Sequence, residues 1–412
     1  MSATNPNPER PVANFPDALS TREGWLEPFS WYREMRRESP VRYDDSREVW
    51  DAFRYEDVKR VLSDDDAFSS DPHALPNFDE RAGEESPVLE TMLFTDPPEH
   101  DRLRGVVDDF FRPSAVKDLQ PRIEELTADL LDDAATGGEM DVVGDLSYPM
   151  PVVVIAEMLG VPSSDRDRFK RWSDTLVSRP EAPTEEAIAS YRREMERSQR
   201  EMREYFRDMI DARREDPRDD LITRVVEAEV DGERLTEREM LGFCTLLLIA
   251  GNITTTNLIT NAIRCFDERP GVYDRLRDGE IQLRTTIEEV LRYRSPVQAL
   301  FRIATRNVEL GGREIDEGTG VVAWIGSANR DGERFDDPDE FLPDRSPNQH
   351  LAFGHGTHYC LGAPLARLEA NVALSAMLDR FRDVEVTADE LSPVRSSFIY
   401  GVENLPIRFG TA

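Results

Sequence analysis

Phe353-Gly-His-Gly-Thr-His-Tyr-Cys360-Leu-Gly-Ala-Pro-Leu-Ala-Arg367 is the stretch on which the reading of this chain turns. Gly354 and Gly356 carry no side chain and reach positive φ without strain, so the backbone can turn tightly and approach a flat ligand. Cys360 follows, and a helical pattern running from Ala363 to Phe381 begins just beyond it, with Pro364 suited to a first turn. Free N–H groups and partial positive charge at such a helix start favour a thiolate over a thiol. A thiolate so placed is the kind of ligand that pushes electron density onto haem iron. Taken alone, one cysteine is more often an inert buried residue. The Gly354 and Gly356 pair imitates a dinucleotide fingerprint, but the third glycine and the surrounding βαβ unit are missing. The complete string carries the argument.

Around it, 412 residues with 39% hydrophobic content allow a sizeable core. The formal charge of -32 comes from 83 acidic against 51 basic residues, and Lys59, Lys117 and Lys170 are the only lysines. Such a surface repels nucleic acid and anionic lipid headgroups, so neither is expected as a partner. A carboxylate coat with almost no lysine suits concentrated salt, where self-repulsion is screened, and a halophilic setting is expected. Three cysteines, Cys244, Cys265 and Cys360, argue against a disulfide framework and cannot hold a four-thiolate iron-sulfur cluster, so electrons must come from another protein. The polar, proline-rich first twenty residues resemble neither a signal peptide nor an anchor. A cytoplasmic location and disorder of those residues follow as expectations. Leu241 to Ile263 lacks charge over a length that could span a bilayer, but its Thr and Asn load is that of a helix crossing a protein interior beside a polar cavity.

Helical periodicity dominates, at Trp25 to Glu38, Tyr55 to Leu62, Glu99 to Phe111, Ser114 to Ala135, Tyr148 to Leu159, Ser164 to Leu176 and Glu185 to Arg214. It resumes at Asp220 to Ala228, Thr236 to Asp267, Gly271 to Gly279 and Leu283 to Tyr293. Strand signals stand at Val41 to Tyr43, Glu48 to Phe53, Phe301 to Ala304, Gly320 to Ile325 and in the tail from Val394. Asp71 to Pro98 is a loop long enough to suggest function. No linker or repeat divides the chain. The predicted fold is mainly α, one large helical domain over 1–412 with a minor β-sheet.

The cysteine string resembles the cytochrome P450 family, whose haem-binding loop reads Phe-Gly-x-Gly-x-His-x-Cys-x-Gly; every fixed position is filled, Gly362 closing the pattern. The resemblance implies haem b (iron protoporphyrin IX) as cofactor, Cys360 as its metal ligand, and Phe353, Gly354 and Gly362 as cofactor-contacting residues. Glu289 and Arg292 share a helix face, as do Glu34/Arg37, Glu194/Arg197 and Glu204/Arg207. Only the first pair precedes Ser295-Pro296 ahead of the cysteine string, and the resemblance makes it a buried ion pair bracing that loop. Leu247-Leu-Ile-Ala250-Gly251-Asn252-Ile253-Thr254-Thr255-Thr256-Asn257 resembles the family's distal helix. There Ala250 and Gly251 would let haem and oxygen approach, and Asn252 and Thr254 would take the catalytic positions, Thr254 also bonding the backbone one turn earlier. Haem propionates need cationic partners; His100, Arg104, Arg302 and His358 match those positions, whereas His73 and His350 have no assigned role.

By position, Leu246, Ala250, Val297, Leu300, Phe398 and the Asp71 to Leu93 loop would face substrate. They are mostly apolar, so a hydrophobic small molecule is expected. The implied activity is a monooxygenase using O2 and a separate ferredoxin and ferredoxin reductase, in a monomer without a membrane anchor. In the family the residue before the alcohol is commonly Asp or Glu; here it is Ile253. That departure motivates an alternative on the same scaffold, a peroxide-driven peroxygenase or haem isomerase. A non-enzymatic haem ligand-binding protein is the second alternative.

Overall fold

The computed structural model describes all residues except 1–15, 20, 77–90, 135–136, 178–183, 231, 395, 397 and 412. Most of the expected disordered start, and much of the Asp71 to Leu93 loop, therefore lie outside the described residues. The fold is mainly helical with small sheets, as predicted.

Its axis is the helix Glu237–Asp267, begun by a capping box in which Thr236 and Glu239 satisfy each other's backbone N–H groups. This helix is long and apolar enough to cross a membrane, yet 72% of its most apolar window is buried in protein. It packs against the helices Pro149–Met158, Arg166–Val177 and Ala363–Arg380. Because little of it meets water, its hydroxyls and amides must find partners inside. They do so largely by bonding back one turn: Thr245 Oγ1 donates to the Leu241 carbonyl at 2.9 Å, Thr260 to that of Thr256 at 2.7 Å, and Asn257 Nδ2 to that of Ile253 at 2.7 Å. Thr256 reaches outward as well, to the Ser147 carbonyl at 3.0 Å.

The larger sheet runs in the order Val41–Asp44, Val49–Ala52, Gly320–Ala323, Leu300–Ala304, Phe68–Ser69. Only the pairing of Val49–Ala52 with Gly320–Ala323 is parallel. The antiparallel pairing of Gly320–Ala323 with Leu300–Ala304 seats Arg302 opposite Val321, inside the protein. A second sheet joins Phe381–Val386, Pro406–Thr411 and Glu139–Asp141 near the C-terminus.

Several local expectations differ from the structure, and the strand predicted at Gly320 to Ile325 ends at Ala323, with Ile325 opening a short helix. The Trp25 to Glu38 pattern is two helices, Arg22–Leu26 and Phe29–Glu38, with Pro28 capping the second because its ring and missing N–H stop the first. Ser114 to Ala135 divides at Leu119 into Pro113–Asp118 and Gln120–Ala134. Phe381 starts a strand rather than ending a helix. The hairpin Val308–Leu310 with Arg313–Ile315 was missed, although Gly311 and Gly312, both at positive φ, are its turn signal.

Candidate active site around Cys360

Gly354 and Gly356 both adopt φ of 75°. A Cβ on Gly356 would also lie 2.8 Å from Ser63 Cα, so glycine is required there twice over, by conformation and by the close approach of the helix Tyr55–Ser63. The loop then closes on itself: Gly354 N–H donates to the Leu351 carbonyl and Cys360 N–H to that of Phe353, each at 2.8 Å. Gly362 caps the helix Ala363–Arg380, and no protein atom lies within 4 Å of where its Cβ would be. Cys244 and Cys265 are buried in the core, which pushes their thiols up to about 12. Cys360 keeps part of its surface open. Desolvation by the surrounding loop raises its pKa as well, but the backbone N–H of Gly362, the cations Arg104 and Arg367 and the backbone N–H of Ala363 all work against that rise.

Basic groups gather beside this loop. Arg104 Nη1 donates to the Tyr359 carbonyl at 2.8 Å. His100 is buried with its ring 4.4 Å from that of His358. Among the described residues, buried His358 Nε2 and Arg302 Nε have no hydrogen-bond partner. Burial, helped by Arg302, His100 and Arg104, holds His358 down to about 3, so it is a neutral imidazole; burial likewise pulls Arg302 down to about 10, against Asp96 and Asp65. Unpartnered buried donors cost free energy unless something pairs with them. A flat group bearing carboxylates, set on a thiolate, fits this donor set.

The core helix is open at the stretch expected to face such a group: Ala250 is exposed, and Ile249, Gly251, Ile253 and Thr254 are half-buried. Thr254 Oγ1 donates to the Ala250 carbonyl at 2.9 Å. Two neighbours are engaged elsewhere. A Cβ on Gly251 would come within 2.8 Å of Ile155, so the small residue serves close packing against Pro149–Met158. Asn252 is buried and donates from Nδ2 to Ser173 Oγ at 2.6 Å, which turns its amide toward the helix Arg166–Val177. Leu246 is buried in the core. Val297, Leu300 and Phe398 are half-buried, and the pairing of Val297 with Ile399 and of Gln298 N–H with the Phe398 carbonyl at 2.7 Å brings the tail beside the segment before Arg302.

The cytochrome P450 family model matches residues 6–402. The chain belongs to the cytochrome P450 family. A putative cytochrome P450, YjiB, of Bacillus subtilis is 44% identical over 92% of this chain and 93% of its own. The erythromycin C-12 hydroxylase of Saccharopolyspora erythraea is 41% identical over 93% of this chain and 94% of its own. The crystal structure of CYP109E1 from Bacillus megaterium in complex with testosterone superposes with a TM-score of 0.87 at 44% identity, covering 94% of this chain and 99% of that one. The cofactor of this P450 is therefore haem b, which when bound supplies thiolate-ligated iron able to activate dioxygen. Cys360 is the residue that would ligate it, and Arg302, His358, His100 and Arg104 those that would hold its carboxylates.

Beneath the P450's cysteine loop, Glu289 and Arg292 form a pair with both side chains at 0% exposure. Arg292 bonds both Glu289 oxygens at 2.8 Å and donates to the carbonyls of Asn329, Pro338 and Glu340. Arg345, Asn348 and the Leu342 N–H complete the shell around Glu289. The pair thus ties its helix to the segment that runs into the loop. Of the three pairs with the same spacing, Glu194 and Arg197 meet in solvent, while Arg37 and Arg207 bond Glu38 and Glu237.

One group was missed in the sequence. Glu369, on the helix that Cys360 precedes, is buried, and its Oε1 has no partner among the described residues. Burial pushes its carboxyl up to about 8 against a hydrogen bond from Thr255, so it keeps its proton at neutral pH. Thr255 lies on the buried side of the core helix, about 100° around from the half-buried Thr254. The signal was available, since Glu369 stands on the apolar stripe of Leu365, Ala373 and Met377.

Proposed function

We propose that this P450 inserts one atom of O2 into a hydrophobic small molecule of steroid, terpenoid or fatty-acid-like character, with electrons from a separate ferredoxin and ferredoxin reductase. The observation that carries the reading is the open stretch of the core helix, where Ile249, Ala250 and Ile253 place hydrocarbon around the single hydroxyl of Thr254. The apolar Val297, Leu300 and Phe398 extend that surface, and the testosterone-bound relative supports a steroid-sized ligand. Spectral titration with steroids, terpenoids and fatty acids tests it: displacement of the iron-bound water by at least one class is expected, and a flat response to all three sinks the reading.

Ile253 leaves the core helix without a carboxylate from Leu241 to Ile263, which favours the peroxygenase or isomerase alternative. Glu369 favours the O2-dependent reading, because it brings a protonated carboxyl to the buried side of the same helix, at Thr255. Thr254 would hold a proton donor at the open face and Glu369 would replenish it. Both Thr254→Ala and Glu369→Gln are expected to raise severalfold the hydrogen peroxide formed per electron consumed, measured with a substrate found in the titration. Unchanged coupling in both variants would remove this route, and turnover with peroxide alone would establish the alternative.

The charge of -32 supports a cytoplasm rich in salt. The melting temperature is expected to climb as potassium chloride rises from low ionic strength into the molar range; a flat or falling curve contradicts the halophilic reading.

A further inference from the structure

A second network, distinct from that of His100, Arg104, Arg302 and His358, borders the cysteine loop. Arg367, on the second turn of the helix Ala363–Arg380, donates from Nε and Nη2 to the two oxygens of Glu288, at 2.7 and 2.9 Å. This is the two-pronged geometry in which a guanidinium holds a carboxylate most firmly. Glu288 also meets His350 Nε2 at 3.0 Å, and His350 Nδ1 accepts the Ala352 N–H at 3.2 Å. With Nδ1 accepting, the imidazole carries its proton on Nε2 and donates it to Glu288. Three segments are joined in this way: the helix Leu283–Tyr293, the chain entering the cysteine loop and the helix leaving it. Glu288 and Glu289 are adjacent, yet Glu289 serves the buried network and Glu288 the loop.

The same guanidinium lies over the Phe353 ring, 4.4 Å from its centroid. Phe353 in turn accepts the Cys360 N–H through its carbonyl at 2.8 Å. One arginine therefore fixes the ring that flanks the ligand and places a positive charge near the sulfur. Its side chain is one-third exposed and Glu288 slightly less, so solvent screens the charge only in part.

We propose that Arg367, held by Glu288 and His350, is a positioning and tuning residue that seats Phe353 against Cys360 and sets how strongly the thiolate donates to haem iron. The inference rests on Cys360 being the ligand. A cation near the sulfur makes reduction of the iron easier, and a carboxylate beside that cation offsets it. Arg367→Gln should therefore shift the haem reduction potential down. Glu288→Gln should shift it up, because the arginine charge is then less neutralised. Arg367→Lys keeps the charge but loses the fork and the stacking, and should stay nearer the wild type than Arg367→Gln.

The experiment is spectroelectrochemical titration of the holoenzyme variants, with the reduced carbon monoxide spectrum recorded for each to show that thiolate ligation persists. Shifts of opposite sign for Arg367→Gln and Glu288→Gln, with Arg367→Lys between Arg367→Gln and the wild type, support the tuning role. Shifts of the same sign, or none, overturn it and leave the network a structural brace. Should Arg367→Gln lose thiolate ligation, the other two variants decide: Glu288→Gln must rise and Arg367→Lys must stay closer to the wild type than Glu288→Gln does. Failure of Cys360 as ligand would show instead in the carbon monoxide spectrum of a Cys360 variant, so the two claims fail separately.

Discussion

Cys360→Ser is expected to abolish the strongly red-shifted Soret band of the reduced carbon monoxide complex. That band reports thiolate ligation, and a serine hydroxyl in the same place is a far weaker acid that stays protonated. Neither remaining cysteine can substitute. Cys244 and Cys265 are each 1% exposed, belong to the core helix, and have thiols pushed up to about 12, so neither offers an accessible thiolate. The effect should be all or none, because the N–H groups of Gly362 and Ala363 and the charges of Arg104 and Arg367 are aimed at one atom. Absorption spectra of the dithionite-reduced, carbon monoxide-saturated variant check it. Survival of the band in Cys360→Ser would refute the assignment of the ligand and, with it, the tuning role of Arg367.

The second large effect is expected at the pair beneath the loop. Glu289→Gln leaves Arg292 and Arg345 without the carboxylate both are built around, with Arg292 fully buried. Breaking one half of such a pair costs about 3–5 kcal/mol, because a charge is left desolvated and uncompensated. Native domains hold about 5–15 kcal/mol in all, so the variant should unfold at much lower urea and retain little haem. Replacing both partners with hydrocarbons of similar size, Glu289→Leu with Arg292→Met, should cost less than the single change. The comparison separates a lost charge partner from lost packing. As a control, Glu194→Gln removes a solvent-exposed partner at the same spacing and should cost well under about 1 kcal/mol. A Glu289→Gln midpoint no different from this control would mean that the buried pair does not brace the fold.

Much of this was legible in the chain itself, and the reasons differ from residue to residue. The cysteine loop could be read because glycine positions, cysteine and helix start lie within one short string, so the local geometry is written locally. The helix Leu283–Tyr293 was placed at both ends, since Arg294 and Ser295-Pro296 interrupt a strong apolar period. Burial of Glu289 and Arg292 could not be read from spacing, as Glu194 and Arg197 demonstrate; it depends on carbonyls from Asn329 to Glu340 that only the fold assembles. Asn252 and Gly251 show the same limit in reverse. Asn252 lies two residues before Thr254, about 200° around the helix, so its amide meets Ser173 instead, while the backbone at Gly251 is pressed against Ile155 of the helix Pro149–Met158. Glu369 escaped notice because its partner Thr255 belongs to a different helix. The hairpin after Leu310 carries a local turn signal in Gly311 and Gly312, both at positive φ.

The tight fit of Gly251 against Ile155 has a consequence for how this enzyme can change. Ile155 is 2% exposed and locked in the core, so a methyl group at 251 would press the core helix away from its neighbour along its length. Ala250, one residue earlier, is exposed and can accept a larger side chain at its own position alone. If Ala250, Val297 and Leu300 face substrate as proposed, variation that reshapes substrate choice has a narrow path. It can accumulate at Ala250, Val297 and Leu300 one residue at a time, whereas position 251 is closed unless Ile155 changes in the same step. Directed evolution of this chain should draw its gains from the first set, and any library member altered at 251 should carry a compensating loss of bulk at 155.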